Sequence, residues 1–368
     1  MLIDTLSKDV LLNPLQTVIG IVERKQSLPI LSNVLIEKIN DYVRMTSTDL
    51  DIQISTQLSG GLPSQGDYAI TLGARKLLDI LTKLPEEKDI LLDLVESKLQ
   101  VRSGSSKFNL QTLPAQDFPL IKRVEDKKVC VALPQKLLKR LLGQVKYSMA
   151  QQDIRYYLNG VLFSVNECTL TLVATDGHRL AYASATLDSP HHRCEVIIPR
   201  KAINELLRLL DDSEAEILLN ISENHISAEF SEISFQSKVI DGKFPDYRRV
   251  IPEYKNHLLL DRKMLLSSLA RVSILSNEKF HGIRFILTEK NLRIISNNSE
   301  QEEAQEDIAT DYQEEALDIG FNVNYLFDGL NNINSDVVQI SFGGANSSVL
   351  ISIPDRTDFR YVVMPMRI

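Results

Sequence analysis

No apolar run in this 368-residue sequence approaches the roughly 20 residues that a membrane-spanning helix needs, so no membrane insertion is expected. The first ten residues lack the uninterrupted apolar stretch and small-residue cleavage site of a secretory leader, because Asp4, Lys8 and Asp9 interrupt them. A cytoplasmic protein is the expectation. Cysteine is scarce: Cys130, Cys168 and Cys194 stand far apart and are odd in number, a pattern that suits buried thiols in a reducing compartment rather than disulfides. His191, His192 and Cys194 suggest the start of a metal site, but Pro190 precedes them and no second ligand pair follows at zinc spacing, which favours a polar surface turn. There is no GxxxxGK[ST] phosphate loop and no glycine-rich turn placed for a dinucleotide. No cofactor or metal is expected.

Lys and Arg are absent from Ile294 to Asp355, where Glu300, Glu302, Glu303, Glu306, Asp307, Asp311, Glu314 and Glu315 crowd one segment. The stretch from Pro134 to Ala150 is the reverse, with Lys136, Lys139, Arg140 and Lys146 and no acid. A net charge of −8 argues against a protein covered by a DNA-binding surface, but the charge is sorted between surfaces. With 43% apolar and 24% charged residues the chain reads as globular, and its length suits two or three domains.

What is present is a weak repeat of long period. Lys8, Lys136 and Lys263, spaced 128 and 127 apart, each open a run with helical apolar spacing: Leu11, Leu15 and Val18, then Leu138, Leu141 and Val145, then Leu265, Leu269 and Val272. A second helical pattern follows in each copy, at Arg75–Leu81, Arg200–Leu207 and Asn322–Phe327. Between them lie short alternating strands, at Val34–Ile36, Val43–Thr46 and Ile52–Ile54 in the first copy and at Gly160–Phe163, Leu170–Val173 and Leu180–Tyr182 in the second. Thr48-Asp49 recurs as Thr175-Asp176, and Phe118-Pro119 as Phe244-Pro245. The pattern predicts an α+β protein of three similar domains, 1–126, 127–254 and 255–368, with boundaries near Glu125 to Lys128 and Glu253 to Asn256.

If the sheets form an outer wall and the helices face inward, a set of bases lines one concave surface. It comprises Arg24, Lys25, Arg75, Lys76, Lys83, Lys136, Lys139, Arg140, Lys146, Arg200, Lys201, Arg208, Arg262, Lys263 and Arg271. A repeated basic face suits a repeated polyanion. Taken one at a time, these residues read as solvated helix faces. The argument rests on the set.

The most distinctive words are Asp153-Ile154-Arg155-Tyr156-Tyr157-Leu158-Asn159-Gly160, Thr175-Asp176-Gly177-His178-Arg179-Leu180, Phe244-Pro245-Asp246-Tyr247-Arg248-Arg249-Val250 and the end, Tyr361 to Ile368. With Leu28 to Asn33 and Ser276 to Phe280, they resemble the bacterial DNA sliding clamps, beta subunits of DNA polymerase III, from the first helix to the last residue. The resemblance implies the DNA clamp fold, with three similar domains per chain and a head-to-tail homodimer closed as a ring around duplex DNA. It also implies a role as a non-enzymatic processivity factor, opened by a clamp loader and tethering replicative and repair polymerases through short linear motifs.

By that resemblance Arg24, Lys25, Gln152, Arg155 and Tyr157 face DNA, touching phosphates without reading bases. Gln151 stands where some relatives carry a histidine. The partner-peptide groove maps onto Leu158, Thr175, Gly177, His178, Arg179, Leu180, Pro245, Arg249, Val250, Val362, Val363, Met364, Pro365, Met366 and Arg367. Flexible Met side chains adapt to apolar anchors, and Arg and His supply a polar rim, with Met366 beside Pro365 as a lid. Without the resemblance, Val362 to Met364 read as an ordinary edge strand. The dimer interface maps onto Phe108 and Leu110 against Ile274 and Leu275, with Lys76 and Lys107 near Glu300 and Glu303. Ser105 stands where relatives carry a base, so an ion pair to Glu306 is not expected.

Two other classes compete. Asp176 and His178 suggest a catalytic pair with Ser184 or Cys168 as nucleophile, yet no nucleophile elbow or paired carboxylates accompany them. A static architectural DNA-binding protein fits the basic helices but not the acidic total.

Overall fold

The computed structural model describes residues 2–23, 28–40, 42–59, 66–85, 89–121 and 129–367. Arg24, Lys25 and the boundary expected at Glu125 to Lys128 lie outside the described residues. Among the described residues there are six α-helices: α1 Lys8–Val18, α2 Ala74–Lys83, α3 Gln135–Val145, α4 Arg200–Leu209, α5 Arg262–Val272 and α6 Val323–Asn331. None is long and apolar enough to cross a membrane. Each buries one stripe at helical spacing, as Leu11, Leu15 and Val18 do in α1 and Ala74, Leu77 and Leu81 in α2, while Lys8 at the start of α1 is buried too and donates to Leu84 O at 2.7 Å. α5 and α6 are capped in kind: Asp261 accepts from the Met264 N–H at 2.7 Å and Asn322 from the Asn324 N–H at 2.9 Å.

The chain forms two compact units, Met1–Lys136 with Asn204–Val239 and Leu137–Ile203 with Ile240–Ile368. The first unit carries a twelve-stranded sheet. Its order is Leu2–Leu6, Ile90–Val95, Lys98–Ser103, Ser106–Leu113, Tyr68–Gly73, Asn33–Ile39, Tyr42–Thr48, Ile52–Ser59, Ile233–Lys238, His225–Phe230, Glu216–Ile221 and Val129–Pro134. The second unit carries a six-stranded sheet, Gly160–Thr175, Arg179–Pro199, Phe359–Val363, Val349–Ser352, Val337–Phe342 and His257–Asp261. It also carries a four-stranded one, Glu303–Ala309, Asn291–Asn297, Gly282–Thr288 and Leu317–Asn322. The pairings at Ile52–Ser59 with Ile233–Lys238 and at Arg179–Pro199 with Phe359–Val363 are antiparallel and join one sequence copy to the next.

The repeat is chemical as well as topological. Ser47 Oγ donates to Val18 O at 2.5 Å and Ser296 Oγ to Val272 O at 2.5 Å, closing the ends of α1 and α5 in the same way. Arg75 donates to Val22 O at 3.0 and 2.6 Å, and Arg200 to Met149 O at 3.0 Å, so the bases that open α2 and α4 each tie down the segment after the preceding helix.

Several sequence expectations change here. The separate strands expected at Gly160–Phe163 and Leu170–Val173 are one strand, kinked at Glu167, whose φ is +49°. Its partner Arg179–Pro199 runs through His191 and His192, which lie in a strand and not in a turn. Among the described residues no group of three or more His, Cys, Asp or Glu side chains could hold a metal. The cysteines are not buried: Cys168 and Cys194 are half-buried, and Cys130 points to solvent because the alternation of Val129–Pro134 sends Val129 and Val131 inward instead.

Candidate partner groove

A groove of about 210 Å³ opens in the second unit beside the turn Thr175 to Leu180. That turn is built by its own side chains. Thr175 Oγ1 donates to Arg179 O at 2.6 Å and accepts the Gly177 N–H at 3.1 Å, while Asp176 Oδ1 accepts the His178 and Arg179 N–H groups at 2.9 and 3.0 Å. Gly177 has φ +91°, and a Cβ there would sit 3.1 Å from the Arg155 guanidinium nitrogens. The earlier copy repeats the turn at Thr48-Asp49 with Leu50 at φ +78°.

Beneath the groove lies a buried cluster of Leu162, Val173, Leu180, Ile197, Phe244, Tyr247 and Val362, with Val250 packed against it. Leu180 and Val362 are direct cross-strand partners. Met364, 39% exposed, stands at the edge with its N–H bound to His178 O at 2.8 Å. The lining is chiefly apolar, so a ligand side chain that fits there exchanges water for hydrocarbon contact.

The structure brings together Leu158, Thr175, Gly177, Arg179, Leu180, Pro245, Val250, Val362 and Met364 as groove lining. It adds Phe244 and Tyr247, and it also puts Arg155 and Tyr157, read from resemblance as DNA-facing, on the groove wall. The signal for Phe244 was the recurring Phe-Pro word. His178, Arg249, Val363 and Pro365 are not among the lining residues. Val363 is fully buried in its strand, where it pairs with Arg179 and Val349. Met366 and Arg367 line a separate cavity of about 380 Å³ with Phe280, and the Met366 N–H is held by Gly320 O at 2.9 Å.

Arg179 is not a rim residue. Its side chain, 10% exposed, donates to Asp176 Oδ2 at 3.0 Å, to Tyr147 O at 2.6 Å and to Asp328, and it lies 4.5 Å from the centroid of the Tyr325 ring. Burial opposes its charge, but the Tyr361 hydroxyl and the carboxylates of Asp328 and Asp176 outweigh that and hold its pKa above the ordinary value. Burial also pushes the Tyr361 hydroxyl up. The carboxylate of Asp176 is thus committed to the turn and to Arg179, which leaves it no role as partner of a catalytic His178. At the mouth, Arg155 donates to both Asp153 oxygens at 3.0 and 2.8 Å and holds that carboxyl at about 2.

Gln152 is exposed with φ +55° at the tip of the same loop, and Ile154 beside it is 95% exposed. The helix bases are mostly engaged within the chain: Lys136 pairs with Glu214, Arg140 with Asp358 at 3.6 Å, Lys263 with Asp336 at 3.9 Å, and Arg208 donates to Thr17 O at 2.6 Å. Lys76, Lys83 and Lys146 are exposed. Of the residues mapped to a dimer contact, Lys76, Lys107, Glu300 and Glu303 are exposed, Phe108, Leu110 and Leu275 half-buried, and Ile274 77% exposed. Glu306 does have an ion pair, but to Arg271 of its own chain, at 2.6 and 3.0 Å.

Comparison with known proteins gives the family. The N-terminal, central and C-terminal domain profiles of the DNA polymerase III beta subunit match residues 4–122, 132–246 and 248–367. The chain is 44% identical over 366 residues to the beta sliding clamp of Pseudomonas putida and 41% identical over 365 residues to that of Escherichia coli, covering 99% of each chain in both cases. A crystal structure of the Pseudomonas aeruginosa sliding clamp with ligand superposes with a TM-score of 0.95 at 43% identity over 99% of both chains. The Bacillus subtilis sliding clamp does so at 0.94 and 29% identity, over 99% of this chain and 98% of that one. With three matching domains and relatives alike from end to end, the chain belongs to the beta sliding clamp family, the non-catalytic processivity subunit of DNA polymerase III.

Proposed function

We propose that two copies of this chain, each with domains at 1–126, 127–254 and 255–368, close head to tail into a ring that slides on duplex DNA in the cytoplasm. One observation carries the dimer. Inside the chain, one strand of each copy pairs with the last strand of the next: Ile52–Ser59 with Ile233–Lys238, and Arg179–Pro199 with Phe359–Val363. The third strand of that series, Glu303–Ala309, is the open edge of its sheet. The counterpart of the last strands, Ser106–Leu113, pairs with Tyr68–Gly73, among the described residues, through Thr112 and Leu113 alone. A second copy satisfies both edges. The repeat register sets Phe108 of one subunit against Ala304 of the other, in the place of the internal pairs Phe235–Ile54 and Tyr361–Ala181. Leu110, Ile274 and Leu275 add apolar area, while Lys76 and Lys107 facing Glu300 and Glu303 set orientation, since exposed ion pairs contribute only about 0–1 kcal/mol each.

Arg24, Lys25, Gln152, Arg155 and Tyr157 face DNA in this reading, with contacts weak enough to slip. A clamp loader opens the ring. Replicative and repair polymerases dock short peptides with apolar anchors in the groove of Leu180, Val250, Val362 and Met364, which supports the reading by its apolar floor. Of the relatives, a Pseudomonas aeruginosa sliding clamp has been crystallised bound to griselimycin. The test is topological. Protein loaded on nicked circular DNA should stay through gel filtration and leave when the circle is cut; retention unchanged by cutting would sink the ring.

A further inference from the structure

The internal junction of the first unit occupies the same place in the repeat as the partner groove, and its chemistry is different. Leu180 pairs with Thr175 on one side and Val362 on the other; Gln53 pairs in the same way with Thr48 and Gln236. Phe118-Pro119 follows there as Phe244-Pro245 does beside the groove, and both Phe side chains are buried. The apolar floor pair Leu180–Val362 is therefore replaced by two amides. Over this pair lies an open cavity of about 650 Å³, three times the groove's, whose charged lining among the described residues is Glu37, Glu229, Glu232 and Arg44, net −2. Arg44 is drawn toward Glu37 at 4.0 Å and donates to the Tyr42 hydroxyl at 3.1 Å.

We propose that this junction is a second docking groove, taking an extended, basic, amide-rich peptide segment of a partner protein. Gln236 lines the cavity, is 8% exposed, and its amide oxygen is without a hydrogen-bond partner. A buried acceptor left unpaired is costly, and the terminal amide turns easily about its last torsion, so a donor entering the cavity satisfies it. The Gln53 oxygen is already taken by the Ile121 N–H at 2.8 Å, which fixes that amide as part of the wall. Leu or Phe anchors do not suit this floor, because covering amides with hydrocarbon strips them of hydrogen bonds. Lysine or arginine side chains answer Glu229 and Glu232, and the same negative lining turns away nucleic-acid phosphates.

The probe is a fluorescein-labelled decapeptide of alternating Lys and Gln, titrated against the full chain by anisotropy, with a photo-crosslinking version mapped by mass spectrometry. Saturable binding, crosslinks to residues 229–236, and at least tenfold weaker binding to Glu229→Gln with Glu232→Gln are expected. Both residues are exposed, so the fold should not suffer, and equal thermal midpoints check this. Gln53→Leu with Gln236→Val should lose the basic peptide and raise the calorimetric stoichiometry of a Leu/Phe-anchored peptide from one to two per chain. Crosslinks confined to the acidic segment 300–315, displacement of the basic probe by the Leu/Phe peptide, or unchanged affinity in the Glu→Gln variant would each overturn the proposal.

Discussion

Replacing Arg179 by Ala tests whether the groove is held from beneath. The change removes three hydrogen bonds and leaves Asp176, 17% exposed, and Asp328, 44% exposed, facing each other without their cation. Breaking a buried pair from one side costs about 3–5 kcal/mol; the exposure of Asp328 lowers the expectation to about 2–4 kcal/mol. With a urea slope of about 2 kcal/mol/M, the unfolding midpoint of this part of the chain should fall by about 1–2 M. The sequence has no Trp, so circular dichroism or tyrosine fluorescence is the readout. Peptide affinity should fall about tenfold, some 1.4 kcal/mol, because the Thr175 to Leu180 turn no longer presents Leu180 in a fixed place. Arg179→Lys should recover little of either, since a point charge cannot make the forked contacts to Asp176, Asp328 and Tyr147 O. A variant that unfolds at the same urea concentration as the parent yet loses the peptide would refute the argument, for it would mean that Arg179 touches the peptide instead of positioning the turn.

Gly177→Ala should lower the thermal midpoint by an amount equivalent to about 1 kcal/mol or more, because φ +91° is a strained conformation for alanine and its Cβ crowds Arg155. Asp153 titrates near 2, below its usual 3.8, so its contribution to the loop is complete above about pH 4 and is lost only as pH falls toward 2. Peptide binding should therefore show no Asp153-dependent change between pH 8 and 5, and a titration in that window that disappears in Asp153→Asn would contradict the pairing. Ile274→Ala with Leu275→Ala should give monomers by analytical ultracentrifugation; a dimer of unchanged stability rejects the interface. Deleting Met364 to Ile368 leaves the strand Phe359–Val363 in place but removes one groove wall, so the dimer should persist while anisotropy finds no binding of a polymerase tail peptide.

The helices were legible because each carries apolar residues at a helical period that no neighbour contradicts, and the Thr-Asp word recurred because its side chains build the same turn twice. The long strands of the second copy were not, since period-2 alternation is lost where the kink at Glu167 resets the register. Burial of the cysteines was misjudged for a related reason: composition reports how often a residue type is buried, while Cys130 follows the face that its strand assigns it. Of the groove, the apolar floor was named only through the family resemblance, since Val362 to Met364 by themselves read as an edge strand. The role of Arg179 could not be read, because a buried clamp and a solvated rim are the same letter, and its partner Asp328 lies 149 residues away with nothing local to announce it.

Repetition itself helps to separate residues that serve the fold from those that serve a partner. Ser47 and Ser296, or Arg75 and Arg200, make the same bonds to corresponding carbonyls, and a copy can lack them: Ala174 stands where the Ser would be, and Val323 opens α6 as Arg200 opens α4, with Asn322 before it capping the helix. Such positions answer to the backbone, which is alike in each copy. The cross-strand pair at the junctions answers to something else, for it is Gln53–Gln236 in the first and Leu180–Val362 in the second, while the third strand offers Glu303 at the same register. Backbone pairing is indifferent to these side chains, so the divergence has no cause in the ladder. If it were drift on an exposed face, the second pair would not both be at least 98% buried under a shaped cavity. What distinguishes the two internal junctions is therefore their chemistry, hydrocarbon at the second and amides at the first; in the ring proposed above, the third holds a neighbouring subunit.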